Sequence, residues 1–238
     1  STGKCNIPSK SRLSMPFTIP DIFFIQTLPE EYLERCIRSF NETVDSTWSA
    51  SQLHVIQELA TRETTLNEII SKRDGNRDLF IVADDIVFLK GWHESLIENY
   101  NNGDIIGFSM IDAMNGLLQD YGYDFITIDG DISYRGLYKY LDVTKVNLPS
   151  YRQCDAITGC AMLIKNKVFD DVLSFPSEGA NRWGELLFSF LAGKAGYKTI
   201  VLSAHLNHFA ISTKQKNSNV SSISWLIEKE LWKEVQKK

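Results

Sequence analysis

The stretch LFIVADDIVFLKGW, residues 79–92, carries the clearest signal of the fold. Its first five residues are apolar without a break, which is typical of a strand covered on both faces of a sheet. Two adjacent carboxylates, Asp84 and Asp85, follow at the end of that run. The pattern therefore predicts a buried strand that brings an acidic pair to the edge of a sheet.

Apolar runs and amphipathic stretches alternate on both sides of this segment. The apolar runs predict strands within residues 22–25, 53–56, 79–83, 105–111, 160–164 and 199–202. Helical spacing of apolar residues predicts helices within residues 29–40, 65–72, 92–100, 167–173, 185–195 and 222–237. This alternation over one domain length predicts an α/β, Rossmann-like fold with a mostly parallel central sheet flanked by helices. Ligands of such folds gather beyond the carboxyl ends of the strands.

The composition excludes several classes of protein. The chain has 238 residues, 43% of them hydrophobic, and a formal net charge of −5. An acidic balance argues against nucleic acid as a partner, because phosphate binding relies on clusters of Lys and Arg. The sequence has no run of about 18 apolar residues, so it predicts no transmembrane segment. We expect a soluble, cytoplasmic protein with residues 1–18 as a flexible leader, which is also compatible with an anchor that has been removed.

Residues 112–152 interrupt the alternation of apolar runs and amphipathic stretches, because Tyr, Gly and Asp are mixed there without a clear period. A long irregular stretch inside a compact domain is usually a functional loop or lid. The Asp129-Gly-Asp131 triplet within it has a spacing that suits a metal, but Asp-Gly is one of the commonest turn signals. We interpret this triplet as a turn.

The Asp84-Asp85 pair has two interpretations. Like charges beside a low-dielectric wall need a compensating cation, and Mg²⁺ or Mn²⁺ is the simplest partner for carboxylate oxygens. Alternatively, one carboxylate caps the turn that precedes Lys90-Gly91. The dipeptide alone does not distinguish a cation site from a turn cap.

Two histidines, His205 and His208, follow the last apolar run without the Cys partners of a structural zinc site. Their spacing favours a surface loop. If the strand order brings them beside Asp84 and Asp85, one imidazole could complete a mixed oxygen and nitrogen site that tolerates Mn²⁺.

Glu185 opens a strongly apolar segment just after Trp183. An ordinary first-turn glutamate gains from the helix dipole, which is one interpretation. The other is a general base reached from a cleft, with the tryptophan as a stacking platform for a sugar ring.

Five segments, taken in order, resemble the metal-dependent GT-A glycosyltransferases, particularly the group similar to family 2. They are IFFIQTLPEEYLERCIRSF (22–40), LFIVADDIVFLKGW (79–92), CDAITGCAMLIKNKVFDDV (154–172), RWGELLFSFLAGKAGYKTIVL (182–202) and HFAISTK (208–214). These look like the first strand with its threonine turn, the acidic signature, the central glycine-containing strand, the helix that supplies the base, and the late metal-binding histidine. The resemblance covers roughly residues 19–218 and implies a single GT-A domain over residues 19–238.

The resemblance implies a nucleotide-sugar donor, with a UDP- or GDP-sugar favoured, bound within residues 19–111. Asp84 would lie near the nucleoside or ribose, and Asp85 and His208 would bind Mn²⁺ or Mg²⁺ on the diphosphate. Thr27 and Arg62 would help to hold the base or phosphate.

The resemblance also implies an acceptor hydroxyl, on a glycan or another molecule, bound within residues 112–218. Glu185 would deprotonate this hydroxyl in an inverting reaction. Trp183, Tyr138 and Tyr140 are the candidate acceptor contacts, because aromatic faces suit sugar rings.

Two departures from the family pattern keep other functions open. Ala83 stands where the signature has its first Asp, and Leu186 stands where the family often has the Asp of a Glu-Asp pair. The second departure leaves a retaining mechanism open. A non-catalytic nucleotide- or sugar-binding module is one alternative, and a nucleotidyltransferase is another, although residues 26–29 lack the glycine and the basic residue that such enzymes usually carry there.

Overall fold

A nine-stranded mixed sheet forms the centre of the described part of the chain. The structure is a computed structural model that describes residues 17–48, 53–128, 131–176 and 184–209, without the side chains of residues 127–128 and 131–133. The strands are β1 (Asp21–Gln26), β2 (Leu53–Gln57), β3 (Leu79–Ala83), β4 (Ile86–Phe88), β5 (Ile105–Asp112), β6 (Leu118–Asp120), β7 (Tyr123–Ile128), β8 (Asp131–Gly136), β9 (Tyr151–Cys154), β10 (Ala161–Ile164) and β11 (Thr199–His208). The α-helices are α1 (Glu30–Thr43), α2 (Arg62–Lys72), α3 (Trp92–Asn99) and α4 (Gly184–Lys194).

The main path of the central sheet has the order β2-β1-β3-β10-β5-β11-β4, with β6 paired to β5 and β9 paired to β11. Strands β2, β1, β3, β5 and β11 run in one direction, because β10 is antiparallel to both β3 and β5. The prediction of an α/β fold with a mostly parallel central sheet is therefore confirmed. The carboxyl ends of these five strands share one edge of the sheet.

Helices cover both faces of the sheet, which explains the unbroken apolar runs. Along β1, Ile22 and Phe24 belong to one core cluster, whereas Phe23 and Ile25 belong to the other. Successive side chains of a strand point to opposite faces, so a strand covered on both faces presents apolar side chains at successive positions. Helices α1 and α3 complete the first cluster, and α2 and α4 complete the second.

The expectation of an irregular stretch over residues 112–152 is wrong. The segment contains β6, the antiparallel pair of β7 and β8, and the first residues of β9. β7 and β8 form a separate two-stranded sheet, so neither needs the continuous apolar run that marks the buried strands. Ile128 pairs with Asp131, and the predicted turn between them lies outside the described residues.

The interpretation of His205 and His208 as loop residues is also wrong, because both lie on β11. The pairing of β11 with β5 is irregular between Leu202 and His205 and then continues to His208. The apolar pattern stops at this irregularity, but the strand does not. A further difference concerns the predicted helix over residues 167–173, where the structure has a short 3₁₀ helix, Asn166–Asp170.

The two ends of the chain are described only in part. The predicted C-terminal helix over residues 222–237 lies outside the described residues. Near the other end, the Phe17 ring packs against Trp48 and Tyr100, with centroids 5.8 and 5.1 Å away. Among the helices of the described part, none combines the length and the apolar character needed to cross a membrane.

Candidate functional site

Four of the predicted site residues lie where the parallel strands end. Thr27 directly follows β1, Asp84 and Asp85 directly follow β3, and His208 is the last residue of β11. These strands run in the same direction, so their ends lie at one edge of the sheet. The fold thus brings together residues that are more than 180 positions apart at the extremes.

Asp84 holds the turn that follows β1. One carboxylate oxygen accepts hydrogen bonds from the backbone N–H groups of Thr27 and Leu28, at 2.6 and 2.7 Å. The other oxygen accepts from the Thr27 hydroxyl at 2.8 Å, and the Asp84 side chain is buried. A turn-stabilising role is therefore present, but it serves the turn after β1 rather than the turn before Lys90-Gly91.

Asp85 faces His208. The Oδ2 atom of Asp85 lies 3.3 Å from Nε2 of His208, and the two residues are only 2% and 7% exposed. Burial raises the pKa of Asp85, but the contact with His208 lowers it by more, so that the pKa of Asp85 lies below its ordinary value. Burial likewise opposes charge on His208, but Cys160 and Asp85 together raise the pKa of His208 well above its ordinary value. The site therefore favours a positive charge beside Asp85.

Two further side chains contact the His208 ring. Sγ of Cys160 lies 3.6 Å from Nε2, and Oε1 of Gln119 lies 2.6 Å from Nδ1. An amide oxygen only accepts hydrogen bonds, so with this amide orientation Nδ1 is the donor. Nε2 is then the ring nitrogen turned toward Asp85 and Cys160.

Glu185 and Arg62 form a second, adjacent cluster. Glu185 lies in the first turn of α4 and is 9% exposed. Its Oε1 lies 3.3 Å from Nε of Arg62, whose Nη2 donates to the carbonyl oxygen of Gly159 at 3.0 Å. Arg62 is also one of the charges that lower the pKa of Asp85, after the larger effects of burial and His208. Both carboxylates therefore lie within the electrostatic reach of one guanidinium.

The dipeptide Gly159-Cys160 joins these two clusters. Gly159 packs so closely against Glu185 that an added Cβ would lie 2.3 Å from its Oε1. Cys160 contacts His208, and its carbonyl oxygen accepts from the Ala83 backbone N–H at 2.7 Å. The Asp85–His208 pair and the Arg62–Glu185 pair are therefore parts of one site.

Tyr138 and Tyr140 lie in a turn after β8, on the β6 side of this site. Both have a left-handed backbone, with φ of 59° and 68°, and Tyr140 is 68% exposed. The Tyr140 backbone N–H donates to the carbonyl oxygen of Leu118 in β6 at 2.7 Å. Non-glycine residues with positive φ are uncommon, and they cluster at functional sites.

Several predicted candidates lie elsewhere. His205 is three residues from His208 along a paired strand, which places their side chains on opposite faces, and its Nδ1 lies 2.7 Å from the Ser109 hydroxyl oxygen. Burial lowers the pKa of His205. Trp183 and the connection between Asp129 and Asp131 lie outside the described residues, so their roles stay predictions.

Sequence reasoning missed Gln119 and the individual roles of Gly159 and Cys160. Gly159 and Cys160 lie within a segment that carries the family resemblance, so a glycine next to a thiol was a usable signal there. Gln119 lies in a three-residue strand of the segment interpreted as irregular, where no periodic pattern marks it.

Comparison with known proteins supports the fold. No protein-family model matches the sequence, and no curated protein does so. The crystal structure of GalNAc-T7 with UDP, GalNAc and Mn²⁺ aligns with a TM-score of 0.58 and 10% identity, over 79% of this chain and 42% of that chain. The chain has the GT-A fold. It spans less than half of the GalNAc-T7 chain, and at this identity the likeness concerns the fold alone.

Two other solved structures align with this chain at lower scores. S. aureus TarS 1–349 has a TM-score of 0.47 and 13% identity, over 79% of this chain and 60% of that chain. A197 from STIV has a TM-score of 0.46 and 10% identity, over 78% of this chain and 83% of that chain.

The residues present fit the divalent ion that the resemblance to GT-A enzymes implies. Oδ2 of Asp85 is buried and makes no hydrogen bond of good geometry within the described residues, although Nε2 of His208 is near. A carboxylate oxygen and an imidazole nitrogen are both ligands of divalent transition ions. No three His, Cys, Asp or Glu side chains of the described ranges form a complete metal centre, so the remaining ligands would come from water or from a bound diphosphate.

Substituting Gly159 with alanine is expected to displace Glu185. The added Cβ would overlap the Glu185 carboxylate, and because the contact reaches Cγ and Cδ as well, a simple rotation does not relieve it. We expect a loss of about 1–3 kcal/mol of unfolding free energy, measured by denaturant titration. If Glu185 is the base, turnover should also fall about 10²-fold, because small misplacements of reacting groups have effects of that size.

Gly193→Ala is the matched control for this change. Gly193 lies in α4, the helix that carries Glu185, but an added Cβ there meets nothing within 4 Å. This variant should gain about 0.5–1 kcal/mol of stability, because alanine is a better helix residue than glycine. Equal behaviour of the two variants would show that the contact between Gly159 and Glu185 has no influence on the site.

Proposed function

We propose that this protein is a metal-dependent glycosyltransferase that moves a sugar from a nucleotide-sugar donor to a hydroxyl group of a glycan or another acceptor. One observation carries the proposal: Asp85, His208 and the Arg62–Glu185 pair share one strand-end edge of a GT-A fold. This edge is where open α/β sheets bind their ligands. Residues 19–111 would form most of the donor side and residues 112–218 the acceptor side.

The donor side is built around the turn after β1. Thr27 and Asp84 hold this turn rigidly, with three hydrogen bonds into the Asp84 carboxylate. We assign the nucleoside of a UDP- or GDP-sugar to this turn, with Arg62 as a positive group near the phosphates. The choice of UDP has one supporting finding, since the GalNAc-T7 structure contains UDP.

Asp85 and His208 would hold the divalent ion. When bound, such an ion supplies positive charge to the departing diphosphate. A carboxylate oxygen and an imidazole nitrogen form a mixed site that tolerates Mn²⁺, whereas Mg²⁺ prefers oxygen ligands alone. We therefore favour Mn²⁺ over Mg²⁺.

Glu185 is assigned the role of general base. In the proposed reaction the acceptor oxygen forms a bond to the anomeric carbon of the donor while its proton passes to the Glu185 carboxylate. The bond between the anomeric carbon and the diphosphate oxygen breaks, and its electron pair leaves with the nucleoside diphosphate. Attack from the side opposite the leaving group inverts the anomeric configuration. Arg62 and Gly159 hold the carboxylate in place.

Tyr138→Ala and Tyr140→Ala are expected to weaken acceptor binding more than donor binding. Their rings are partly or largely exposed and lie on the β6 side of the site, and aromatic faces stack on sugar rings. The measurement is the pair of KM values for donor and acceptor in a turnover assay. Equal weakening of both substrates would contradict an acceptor role for this turn. Trp183, the third candidate acceptor contact, can be tested in the same way.

Release of nucleoside diphosphate from a panel of nucleotide sugars, with and without Mn²⁺, tests the proposed function. We expect Mn²⁺-dependent release of UDP or GDP, accelerated by an acceptor. Binding without turnover would instead favour a non-catalytic module. Leu186 is relevant to this alternative, because it packs in an apolar cluster with Ala156 and Leu187 and offers no second carboxylate. Release of pyrophosphate from nucleoside triphosphates would favour a nucleotidyltransferase.

A further inference from the structure

We propose that Gln119 is a positioning residue for the cation site, which holds His208 with hydrogen on Nδ1 and with Nε2 turned to Asp85. This inference rests on the proposed function, because it assigns His208 to the divalent ion. It adds a residue from a different strand, β6, to the set that determines how strongly the ion binds.

The geometry at the His208 ring carries the inference. Oε1 of Gln119 lies 2.6 Å from Nδ1, and Oδ2 of Asp85 lies 3.3 Å from Nε2. Gln119 and Asp85 thus occupy the two nitrogen sides of one buried ring. Histidines that bind metals usually donate their second ring N–H to a carbonyl or carboxylate oxygen, which fixes the tautomer and the ring orientation. Gln119 has this relation to His208.

The strand that carries Gln119 is itself firmly held. Its neighbours Leu118 and Asp120 are buried, and Asp120 Oδ1 accepts from the Gly122 backbone N–H at 2.7 Å. The Leu118 backbone N–H donates to the carbonyl oxygen of Leu141 at 2.8 Å. The register of β6 against β5 is irregular here, because Ile111 pairs with Leu118 and Met110 pairs with Asp120, so Gln119 is an extra residue between two buried neighbours. Such a bulge turns a side chain away from the regular alternation of the strand. Its amide is therefore presented to His208 from a fixed backbone.

Register explains how Gln119 reaches β11. Strand β5 pairs with β6 at Met110 and Ile111, and it pairs with β11 as far as the contact between Asp112 and His208. Gln119 and His208 thus come from two strands that pair with the same end of β5.

The hydrogen bond from Nδ1 to Gln119 determines which ring nitrogen is free. Without an acceptor at Nδ1, the neutral ring could carry its hydrogen on Nε2 and donate it to Asp85. That arrangement would remove the lone pair that a cation needs.

Three variants separate the role of the amide from a general effect of mutation. Gln119→Leu removes the acceptor oxygen at similar size, and Gln119→Glu retains an acceptor oxygen. Gln153→Leu is the control, because it makes the same change at an exposed position of another short strand, β9. Binding of Mn²⁺ alone is measured by electron paramagnetic resonance titration, and the fold of each variant is checked by circular dichroism.

The expected result is that Gln119→Leu weakens Mn²⁺ binding about 10–100-fold, the usual effect of losing a partner of a metal-binding histidine. Gln119→Glu and Gln153→Leu should bind Mn²⁺ as the unmodified protein does. Nitrogen NMR of the His208 ring in protein saturated with Zn²⁺ supplies a second readout. The hydrogen on Nδ1 should resonate far downfield and exchange slowly with water in the unmodified protein, and it should lose both properties in Gln119→Leu.

Unchanged Mn²⁺ affinity in Gln119→Leu, or an unchanged ring signal, would overturn the inference while leaving the proposed function intact. Absence of Mn²⁺ binding by the unmodified protein would contradict the proposed function as well as this inference. It would remove the cation role of Asp85 and His208, and with it both the metal-dependent function and the positioning role of Gln119. The two failures are therefore distinguishable.

Discussion

Asp85→Asn is expected to lower turnover by on the order of 10²–10³-fold, the range seen when one group that stabilises developing charge is removed. Asp85 supplies a buried carboxylate oxygen that faces the His208 ring and has no good hydrogen bond within the described residues. Asparagine has nearly the same shape but no negative charge, so the fold should persist while the divalent ion is lost. The measurement is the rate of nucleoside diphosphate release at saturating Mn²⁺.

The control for this variant is Asp170→Asn. Asp170 is exposed at the end of the 3₁₀ helix that follows β10, and β10 runs antiparallel to β3, so this acid lies toward the opposite edge of the sheet. The same change of charge there should leave turnover unaltered. Turnover by Asp85→Asn at the rate of the control would show that Asp85 has no part in the reaction.

Glu185→Gln is expected to lower turnover by about 10²–10⁴-fold, the contribution typical of one positioned general base. Glutamine preserves the size of the side chain and an oxygen that Arg62 can contact, but it cannot accept the acceptor proton. Donor affinity should change little, because the donor side is built from other residues. The measurements are kcat and the donor Kd, the latter by calorimetry with Mn²⁺ present.

Glu94→Gln is the matched control, because Glu94 is also an acid in the first turn of a helix, α3, but it is exposed. If Glu185→Gln kept near-normal turnover with an intact fold, the base role would be wrong. A mechanism without an enzymic base, such as a retaining transfer, would then be favoured.

The sequence was sufficient to predict the buried part of the sheet. In β3 every residue is apolar, and in β1 the four central residues, 22–25, are apolar, because both faces of these strands are covered. Such runs can be recognised from the sequence alone. It was not sufficient for β6, which has only three residues, or for β7 and β8, which form a separate two-stranded sheet and need no apolar run. The extension of β11 to His208 was hidden for a related reason, since an irregularity in pairing separates its apolar half from its polar half.

The candidate site was predictable where the residue type itself indicates a role, as a carboxylate or an imidazole does for metal binding. Asp85 and His208 were named from the sequence, and the structure brings them within 3.3 Å. The pairing of Arg62 with Glu185 was not predicted, because 123 positions separate the two residues and only the packing of α2 near α4 brings them together. The role of Gly159 was not predicted either, because it depends on the close packing of Glu185 against a residue without a side chain.

A thermal-shift measurement with UDP and GDP, with and without Mn²⁺, tests the central claim most directly. A ligand at about 100 times its Kd should stabilise the folded protein by roughly 2.7 kcal/mol. We predict that one of the two nucleotides raises Tm only in the presence of Mn²⁺, and that this rise disappears in Asp85→Asn. A well-folded protein whose Tm responds to neither nucleotide, with or without Mn²⁺, would contradict the assignment of a metal-dependent donor site.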